Sequence, residues 1–406
     1  MTEVVITGLG ATTPLGGTAA DTWTGLLAGR SGIVTLDDDW ARRLPARLAA
    51  RMAVDPASRL DRVEARRLDR STQAAVVAAR EAWRDAGLEG GVVDPERVAV
   101  AMGTGIGGVT TLLANGDKLN DSGYRHVSPR MIQMNMPNGA AAAISIDLGA
   151  LGGANTSVSA CASGAEALAH ALDMIRFDRA DVVIAGGTEA CIHPLTMAGF
   201  AQARAMSSRN DEPHRASRPF DKSRDGFVLG EGAAVLIVER ATTAAARGRR
   251  PYAVLAGARI TSDAYDMVAP DPGGLGQIRA MRGALADAGL AARDIDYVNA
   301  HATSTPGGDM IEAQAVHSVV GDSPVVSATK SMTGHLLGAS GALEALTTVL
   351  SIRHDIAPPT INLDDPDNAL TLDVTGAEPR ETSIDAALSN SFGFGGHNAA
   401  LVFRKA

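Results

Sequence analysis

A cysteine stands where a strand pattern gives way to a helix pattern. Residues 156–160 are rich in Ser, Thr and Val and predict a strand, Cys161 follows, and an apolar helical pattern begins directly after it. At a helix start the first backbone N–H groups lack partners and the helix dipole is positive, and both effects stabilise a nucleophilic thiolate. Cys161 is therefore a candidate nucleophile. A buried thiol that only fills space explains this residue equally well.

Three further polar residues lie at predicted strand ends or in glycine-rich loops of the second half of the chain. His301 follows a strand pattern, and Lys330 and His335 lie together in the segment SATKSMTGHLLGASGALE. An imidazole donates a hydrogen bond to a carbonyl or carboxylate oxygen, or accepts a proton, near neutral pH. A lysine adds a positive charge that lowers a histidine pKa or holds an anion. Any one of these residues could be structural, but the set together with Cys161 favours a functional site.

The segment SNSFGFGGHN, residues 389–398, is rich in glycine around one aromatic residue. Its glycines permit backbone conformations that are closed to other residues, so Phe394 could move across the mouth of a pocket. A glycine turn can also direct a backbone N–H at an oxyanion. A tight turn that carries one core aromatic is the alternative interpretation.

The elements expected to position these residues alternate along the chain. Strand patterns occur at 4–10, 98–105, 181–187, 233–240, 252–260, 295–303, 325–330 and 386–393, and helical patterns between them include 74–87 and 277–289. Continuous apolar strands between helices indicate sheets that are covered on both faces. The sequence therefore predicts an α/β fold.

The two halves of the chain also resemble each other. VSACASGAEAL (158–168) is echoed by VSATK (326–330) and then ASGALEAL (339–346), and GEGAAVLIVER (230–240) is echoed by GGHNAALVFR (395–404). Two matches in the same order indicate a duplicated α/β unit.

We place the boundary between the halves near residue 250, in the segment RGRRPY. The predicted domains are residues 1–250, which carry the nucleophile candidate, and residues 251–406, which carry the two histidines, the lysine and the Phe394 loop. Active sites in such folds lie where loops of both halves converge. A pseudo-twofold arrangement would bring Cys161 close to Lys330 and His335.

Composition narrows the class of protein. The 406 residues are 45% apolar and 20% charged, as in an ordinary globular protein, and a net charge of −9 argues against nucleic-acid binding. No apolar run approaches a membrane span, and the start enters a strand pattern instead of a signal peptide. We expect a cytoplasmic protein without a membrane association. Cys191 is the only other cysteine, so a disulfide scaffold is nearly excluded and both thiols should stay reduced.

Four motifs carry a family resemblance that spans essentially the whole chain. SACASG, VNAHATSTPGGD, TKSMTGHLLGASG and NSFGFGGHN, in this order and spacing, resemble the β-ketoacyl-[acyl carrier protein] synthases, the condensing enzymes of bacterial fatty-acid synthesis, and the type II enzymes most of all. The resemblance implies the thiolase-like fold, in which two α/β halves form five layers, αβαβα, and usually a homodimer.

The resemblance also implies a two-stage reaction. Cys161 takes an acyl group from the phosphopantetheine thiol of acyl carrier protein, and the N–H groups of Cys161 and Phe394 form the oxyanion hole. Malonyl carrier protein then loses CO2, His301 and His335 stabilise the enolate, and Lys330 tunes and positions His335. The carbanion attacks the acyl-enzyme and extends the chain by two carbons. No metal or organic cofactor is implied for the chemistry, so stabilisation must come from these donors.

Further positions match the family's binding residues. Thr303 and Thr305 match threonines that contact the pantetheine arm, and Ile106 matches a residue of the acyl pocket. A structural monovalent cation, Na or K, found in some relatives, would be held at Asn299, Ala300, Glu344, Ser389 and Asn390. A buried carboxylate held by backbone N–H groups is an equally good interpretation of Glu344.

Basic positions match the family's docking surface for its acidic carrier protein. They are Arg66, Arg67, Arg125 and Arg204, and the first two lie in a stretch with five arginines, RLDRVEARRLDR. A solvated helix face is the usual interpretation of such a run, but an acidic partner favours docking.

Three alternatives stay open from the sequence. A ketosynthase of a polyketide pathway, or a drug-tolerant duplicate in a biosynthetic cluster, would carry the same motifs. Ala302 departs from many relatives and His397 from some, and Cys191 and His193 lie in a segment that varies among relatives. These departures leave acyl preference and inhibitor sensitivity open. A degradative thiolase is disfavoured by the two histidines. A non-catalytic chain-length factor, which acts as an interaction partner, is disfavoured by the retained Cys161.

Overall fold

The first half of the chain alternates strands and helices as predicted. The computed structural model describes residues 2–406. The strands of this half are β1 (Val4–Thr12), β2 (Val34–Thr35), β3 (Leu48–Ala49), β4 (Val98–Gly103), β5 (Ala154–Ser157), β6 (Val182–Glu189) and β7 (Gly232–Arg240). Its helices are α1 (Ala19–Leu27), α2 (Arg62–Ala65), α3 (Arg70–Asp85), α4 (Val109–Ser122), α5 (Met131–Asn135), α6 (Gly139–Leu148), α7 (Ser163–Arg176), α8 (Pro194–Gln202) and α9 (Ala241–Ala246).

The second half begins after the segment RGRRPY, which joins α9 to the next strand. Its strands are β8 (Ala253–Ser262), β9 (Tyr297–Asn299), β10 (Val325–Ser327), β11 (Ile356–Ala357), β12 (Asp373–Val374), β13 (Arg380–Glu381), β14 (Ala386–Gly393) and β15 (His397–Arg404). Its helices are α10 (Leu275–Ala288), α11 (Gly308–Val320), α12 (Lys330–Thr333) and α13 (Ser340–His354).

The strand order repeats between the two halves. Eleven strands are hydrogen-bonded in the order β12-β10-β9-β14-β15-β8-β1-β7-β6-β4-β5. Read outward from the junction, β1-β7-β6-β4-β5 in the first half corresponds to β8-β15-β14-β9-β10 in the second. The halves join where β1 pairs antiparallel with β8, with Val5 opposite Val254. The strands β7 and β15, which carry one of the echoed sequences, occupy equivalent places in this order.

Helices separate and cover the two strand units, which gives five layers. Helices α7 and α13 pack against each other and contact strands of both halves, so they form the central layer. Helices α3 and α6 cover the outer face of the first half, and α10 and α11 cover the second. The predicted thiolase-like αβαβα architecture is therefore confirmed.

Close packing of the outer layer depends on small residues. Helix α3 begins after Asp69, whose carboxylate accepts the Ser71 N–H and caps the helix. Its buried face is made mainly of alanines, and it packs on β1 at Gly8 and Gly10. A Cβ on Gly8 would lie 2.2 Å from the Ala82 carbonyl oxygen, so this approach requires glycine.

Candidate active site

The predicted nucleophile lies on a sharp turn, the cysteine elbow (residues 158–164). Strand β5 ends at Ser157, a 3₁₀ turn spans Ala160–Ala162, and α7 begins at Ser163. Ala160 has a φ of 50°, a left-handed conformation that costs a non-glycine residue energy and turns the chain sharply. Cys161 sits in this turn with 6% of its surface exposed. The strand is shorter than the sequence pattern predicted, because the turn itself occupies the last residues before the cysteine.

A second turn, the histidine elbow (residues 335–341), stands at the start of α13. Leu337 has a φ of 45°, a 3₁₀ turn spans Leu337–Ala339, and the helix begins at Ser340. His335 directs its Nε2 at the Cys161 Sγ, 3.0 Å away. The two elbows therefore face each other, as the duplication predicted.

Glycines let the helices that follow the two elbows meet backbone to backbone. A Cβ on Gly164 of α7 would lie 2.8 Å from the Ala342 nitrogen of α13. A Cβ on Gly341 of α13 would lie 2.7 Å from the Ala165 nitrogen of α7. This reciprocal contact holds the elbows at short range, since a larger residue would have to push one backbone away.

The second histidine completes a compact group. His301 follows β9, and its ring meets that of His335 edge to face, with centroids 5.4 Å apart. One ligand-type atom from each of Cys161, His301 and His335 lies within 4.8 Å of the others. The three side chains expected to share one site are therefore brought together.

Lys330 contacts a different histidine from the one we expected. Its Nζ lies 3.3 Å from the His301 Nδ1 and pairs with the Glu344 carboxylate, and both charged residues are buried. The prediction that Lys330 positions His335 is not what the hydrogen bonds show, because the lysine reaches the ring of His301. Its charge nevertheless lowers the pKa of both histidines.

Buried carboxylates that the sequence analysis did not select hold the His301 loop. Glu312 of α11 accepts the N–H groups of His301 and Ala302, both at 2.7 Å. Asp309 of the same helix accepts the N–H groups of Phe220 and Thr305 at 3.0 and 3.2 Å. Acidic residues near a helix start are common on protein surfaces. Only their burial distinguishes Glu312 and Asp309 from such surface residues, and burial is not visible in the sequence.

The thiol is less acidic than its place at a helix start suggested. Burial raises the pKa of Cys161 to about 11, against the opposing effects of the Lys330 charge and of the Phe394 N–H. Desolvation of the charged form therefore favours the neutral thiol in the free protein, against the expectation of a stabilised thiolate. Burial also lowers the pKa of His301 and His335 well below the usual range, so both rings are neutral near neutral pH.

The predicted glycine loop closes over the thiol. The Phe394 N–H lies near enough to Cys161 to oppose the rise in the pKa of its thiol, and a Cβ on Gly393 would lie 3.0 Å from the Cys161 nitrogen. Gly395, with a φ of 79°, donates its N–H to the Met267 carbonyl at 2.8 Å. The N–H groups of residues 161 and 394 thus lie beside the sulfur, where an acyl oxygen would need donors.

A cavity of about 460 Å³ surrounds the sulfur. The side chains of Ile106, Phe200 and Leu337 give one part of its wall an apolar character, as an acyl chain requires. Thr303 and Thr305, predicted to contact a pantetheine arm, also line it, and their hydroxyl oxygens are 3.1 Å apart.

Glu189 joins the loop of residues 104–108, which carries Ile106, to the histidine elbow, and the sequence motifs did not single it out. Its buried carboxylate accepts the N–H groups of Gly105 and Gly338 at 2.7 and 3.2 Å. Burial raises its pKa to about 7, which these hydrogen bonds oppose. The residue lies at the end of a buried strand pattern, and a lone acid in that position is a signal that could have found it.

The predicted cation residues contain unpartnered buried atoms. Asn299 of β9 is paired in register with Ser389 of β14, and both oxygen and nitrogen of the Asn299 amide lack a partner. One carboxylate oxygen of Glu344 also lacks one, and the other pairs with Lys330 instead of with backbone N–H groups. Asn390 donates its amide N–H to Met281 and Glu312, on α10 and α11, so its side chain is directed at the outer helices.

The four docking candidates are exposed arginines. Arg66 and Arg67 follow the short helix α2, Arg125 lies over the Tyr124 ring at 5.9 Å, and Arg204 borders the cavity. Within residues 2–406 none of these four has a carboxylate partner within ion-pair distance. Their charges are therefore free to attract an acidic surface.

A buried thiol, two neutral imidazoles and paired backbone N–H groups in a duplicated five-layer fold define a thiolase-like condensing enzyme. Residues 1–244 match the description "Beta-ketoacyl synthase, N-terminal domain", and residues 252–364 match "Beta-ketoacyl synthase, C-terminal domain". The chain belongs to the β-ketoacyl synthase family.

Relatives and solved structures agree with this membership. The chain is 47% identical to 3-oxoacyl-[acyl-carrier-protein] synthase 2 of Coxiella burnetii, over 99% of this chain and 98% of the relative. Its fold matches the crystal structure of a β-ketoacyl synthase from Burkholderia phymatum with a TM-score of 0.93. The two sequences are 38% identical, and the match covers 100% of each chain. The chain is 30% identical, with a TM-score of 0.91, to the structure of a type II polyketide ketosynthase complexed with its acyl-carrier protein, covering 100% and 99%.

Proposed function

We propose that this protein is a 3-oxoacyl-[acyl carrier protein] synthase of fatty-acid biosynthesis. The single observation that carries this proposal is the convergence of Cys161, His301 and His335 within 4.8 Å at one end of an apolar cavity. The full-length similarity to 3-oxoacyl-[acyl-carrier-protein] synthase 2 supports the substrate class.

In the first stage the Cys161 sulfur attacks the carbonyl carbon of an acyl thioester. The negative charge that develops on the oxygen is stabilised by the N–H groups of Cys161 and Phe394, which lie beside the sulfur. The bond to the carrier thiol breaks, the proton of the cysteine thiol ends on the departing sulfur, and the acyl group stays on Cys161. Because the free thiol has a pKa of about 11, its proton must leave as the acyl group is transferred.

In the second stage a malonyl thioester replaces the departed carrier. The bond to its carboxylate breaks, CO2 leaves, and the electron pair forms an enolate whose oxygen accepts hydrogen bonds from His301 and His335. The enolate carbon attacks the acyl carbonyl and expels the Cys161 thiolate, which takes up a proton. Neutral imidazoles suit this step because they donate a hydrogen bond without protonating the carbanion.

The carrier arm would contact the two cavity threonines, and the carrier protein would contact the exposed arginines. The pantetheine arm would pass Thr303 and Thr305, and the acidic carrier would dock on Arg66, Arg67, Arg125 and Arg204. The exposure of these arginines and the carrier complex of a 30% identical ketosynthase support this assignment.

A structural Na or K ion fits the group formed by Asn299, Ala300, Glu344, Ser389 and Asn390. The unpartnered oxygens of Asn299 and Glu344 are the observation that supports it, since an oxygen ligand set is what such ions require. The Asn390 amide nitrogen is directed at Met281 and Glu312, and its Oδ1 is a further buried oxygen without a partner. The ion would place a positive charge near the Lys330–Glu344 pair and would not take part in forming or breaking bonds.

A homodimer would cover the free edge of the sheet. Strand β5 is the last strand in the order, and Ile146, Leu151 and Val158 beside it are exposed at 84%, 69% and 53%. An exposed edge with apolar neighbours favours pairing with a second copy. Light scattering at several protein concentrations tests this, and a monomer at micromolar concentration contradicts it.

The experiment that tests the function supplies a chain-length series of acyl carrier proteins with malonyl carrier protein and identifies the products by mass. A product longer by two carbons, with CO2 released in equal amount, is expected for saturated acyl groups. Absence of any extended product contradicts the proposal. Condensation that is repeated on one carrier to give poly-3-oxo chains would instead indicate a polyketide ketosynthase.

Where the protein acts in the cell stays a prediction from the sequence, which favours the cytoplasm. Among residues 2–406, no helix combines the length and the apolar character that crossing a membrane requires.

A further inference from the structure

A serine hydroxyl lies behind the ring of His335. The Ser340 Oγ is 3.0 Å from the His335 Nδ1, on the side of the ring opposite to the Cys161 sulfur. Ser340 also accepts the Leu336 N–H at 2.9 Å, and only 2% of its surface is exposed. Neither the sequence motifs nor the reaction described above gives this hydroxyl a role.

The duplicated unit shows in which direction the hydroxyl donates. Ser163 occupies the same place in the cysteine elbow, and it accepts the N–H of Ser159 at 2.9 Å just as Ser340 accepts that of Leu336. The Ser163 O–H is then free to donate, and it reaches the Ala160 carbonyl oxygen at 2.6 Å. In the histidine elbow the atom in reach of the corresponding O–H is a ring nitrogen instead of a carbonyl oxygen.

The opposite direction leaves a donor without a partner. If the His335 Nδ1 carried the proton and donated to Ser340, the serine O–H would need another acceptor. Across the part of the chain that the structure describes, Ser340 makes no other side-chain hydrogen bond. A buried hydroxyl proton without an acceptor is costly, so donation from Ser340 to Nδ1 is the arrangement that satisfies every group.

We infer that Ser340 is a positioning residue that fixes His335 in the tautomer protonated at Nε2. In this tautomer the ring presents a donor to the Cys161 sulfur or to a substrate oxygen and has no free nitrogen to accept the thiol proton. Lys330 has the same effect on His301, because an ammonium offers only donors to the Nδ1 of that ring. Two different side chains therefore turn both histidines into donors that point at one place.

This inference rests on the proposed condensation for its catalytic consequence, but the tautomer is measurable without substrate. Protein labelled with ¹⁵N-histidine gives long-range ¹H–¹⁵N spectra, in which the His335 signals are those missing from His335→Asn. The wild-type ring is expected to show a protonated Nε2 and a hydrogen-bonded, unprotonated Nδ1. A wild-type ring protonated at Nδ1 overturns the inference, whether or not the enzyme condenses acyl groups.

Variants separate a positioning role from a purely structural one. Ser340→Ala is expected to give a mixture of tautomers and to lower kcat about threefold to tenfold, the range that one hydrogen bond is worth, with KM unchanged. Ser340→Thr keeps the hydroxyl and should retain one tautomer and most of the activity. The matched control is Ser351→Ala, a buried serine of the same helix, which should leave both unchanged. A Ser340→Ala enzyme with the wild-type tautomer and kcat overturns the inference.

Discussion

The two elbows share one backbone design and perform different chemistry. Ala160 and Leu337 are both left-handed non-glycine residues, and each precedes a helix whose first residue is a serine. In the cysteine elbow the next residue is the nucleophile, and in the histidine elbow it is Gly338. The proposed catalytic side chain of the second copy is instead that of His335, two residues before Leu337.

This difference shows how two copies of one backbone unit can contribute different chemical groups to a two-stage reaction. The backbone of each elbow places one residue at the interface of the halves, and the reciprocal glycines of α7 and α13 fix the distance between them. In the proposed reaction one copy supplies the group that carries the acyl chain, and the other supplies donors for the enolate. Each stage then has its own residues within one cavity.

The largest effect is expected from removing the nucleophile. Cys161→Ala should lower condensation by at least about 10³-fold, since a covalent intermediate is lost. Decarboxylation of malonyl carrier protein should persist, because the histidine elbow is intact. Intact mass of the protein and release of labelled CO2 measure the two stages. Loss of both stages would show that the two elbows do not serve separate stages of the reaction. The matched control is Cys191→Ala, since that buried thiol lies outside the cavity lining.

Breaking the buried ion pair should lower stability as well as remove the contact of Lys330 with His301. Lys330→Met leaves the Glu344 carboxylate unpaired in the interior and should lower the free energy of unfolding by about 3–5 kcal/mol. The double variant Lys330→Met/Glu344→Leu removes both charges and should recover part of that loss. Urea denaturation measures both. A double variant less stable than the single one would contradict the ion-pair explanation.

Alkylation of the cysteine should depend on pH across the alkaline range. Because burial raises the pKa of Cys161 to about 11, the thiolate fraction should grow about tenfold per pH unit from pH 7 to pH 10. The rate of iodoacetamide labelling, read by intact mass, checks this. A rate that levels off near pH 8 would mean that the donors at the cysteine elbow outweigh burial after all.

A methyl group on the closing loop should disturb one elbow only. In Gly393→Ala the new Cβ would lie 2.8 Å from the Ser159 carbonyl oxygen and 3.0 Å from the Cys161 nitrogen, and both are backbone atoms. We expect a loss of about 1–3 kcal/mol in unfolding free energy and slower acylation of Cys161. Decarboxylation should change less than acylation, and an equal loss in both would oppose the division between the elbows.

The smallest effect is expected at two exposed arginines of the docking surface that do not line the cavity. Arg66→Glu with Arg67→Glu should raise the KM for carrier-bound substrate about threefold to tenfold, because charge reversal weakens attraction of an acidic partner. The KM for a pantetheine-analogue substrate should not change. Equal effects on the KM of both substrates would reject docking at these residues. The control is Arg84→Glu, a charge reversal at another exposed arginine of the same half.

The sequence predicted the fold and the central side chains because both leave local or repeated signals. The echo of ASGAEAL in ASGALEAL marked equivalent helix starts, and it contained Ser340 without revealing its partner, since a hydrogen bond across a turn has no sequence pattern. Glu189 and Glu312 were missed because their burial arises from tertiary packing. The expected thiolate failed for the same reason, because helix position is visible in sequence and desolvation is not.

Gly338 prevents the second copy from carrying a side chain at the position that corresponds to Cys161. A Cβ at this position would lie 2.3 Å from the Gly105 nitrogen and 2.6 Å from the Thr104 carbonyl carbon. Therefore no side chain, a second cysteine included, can occupy this position, which corresponds to that of Cys161 in the other copy, without moving the loop of residues 104–108. If Cys161 carries the acyl group as proposed, each chain holds one acyl group at a time, and acylation should saturate at one equivalent per chain.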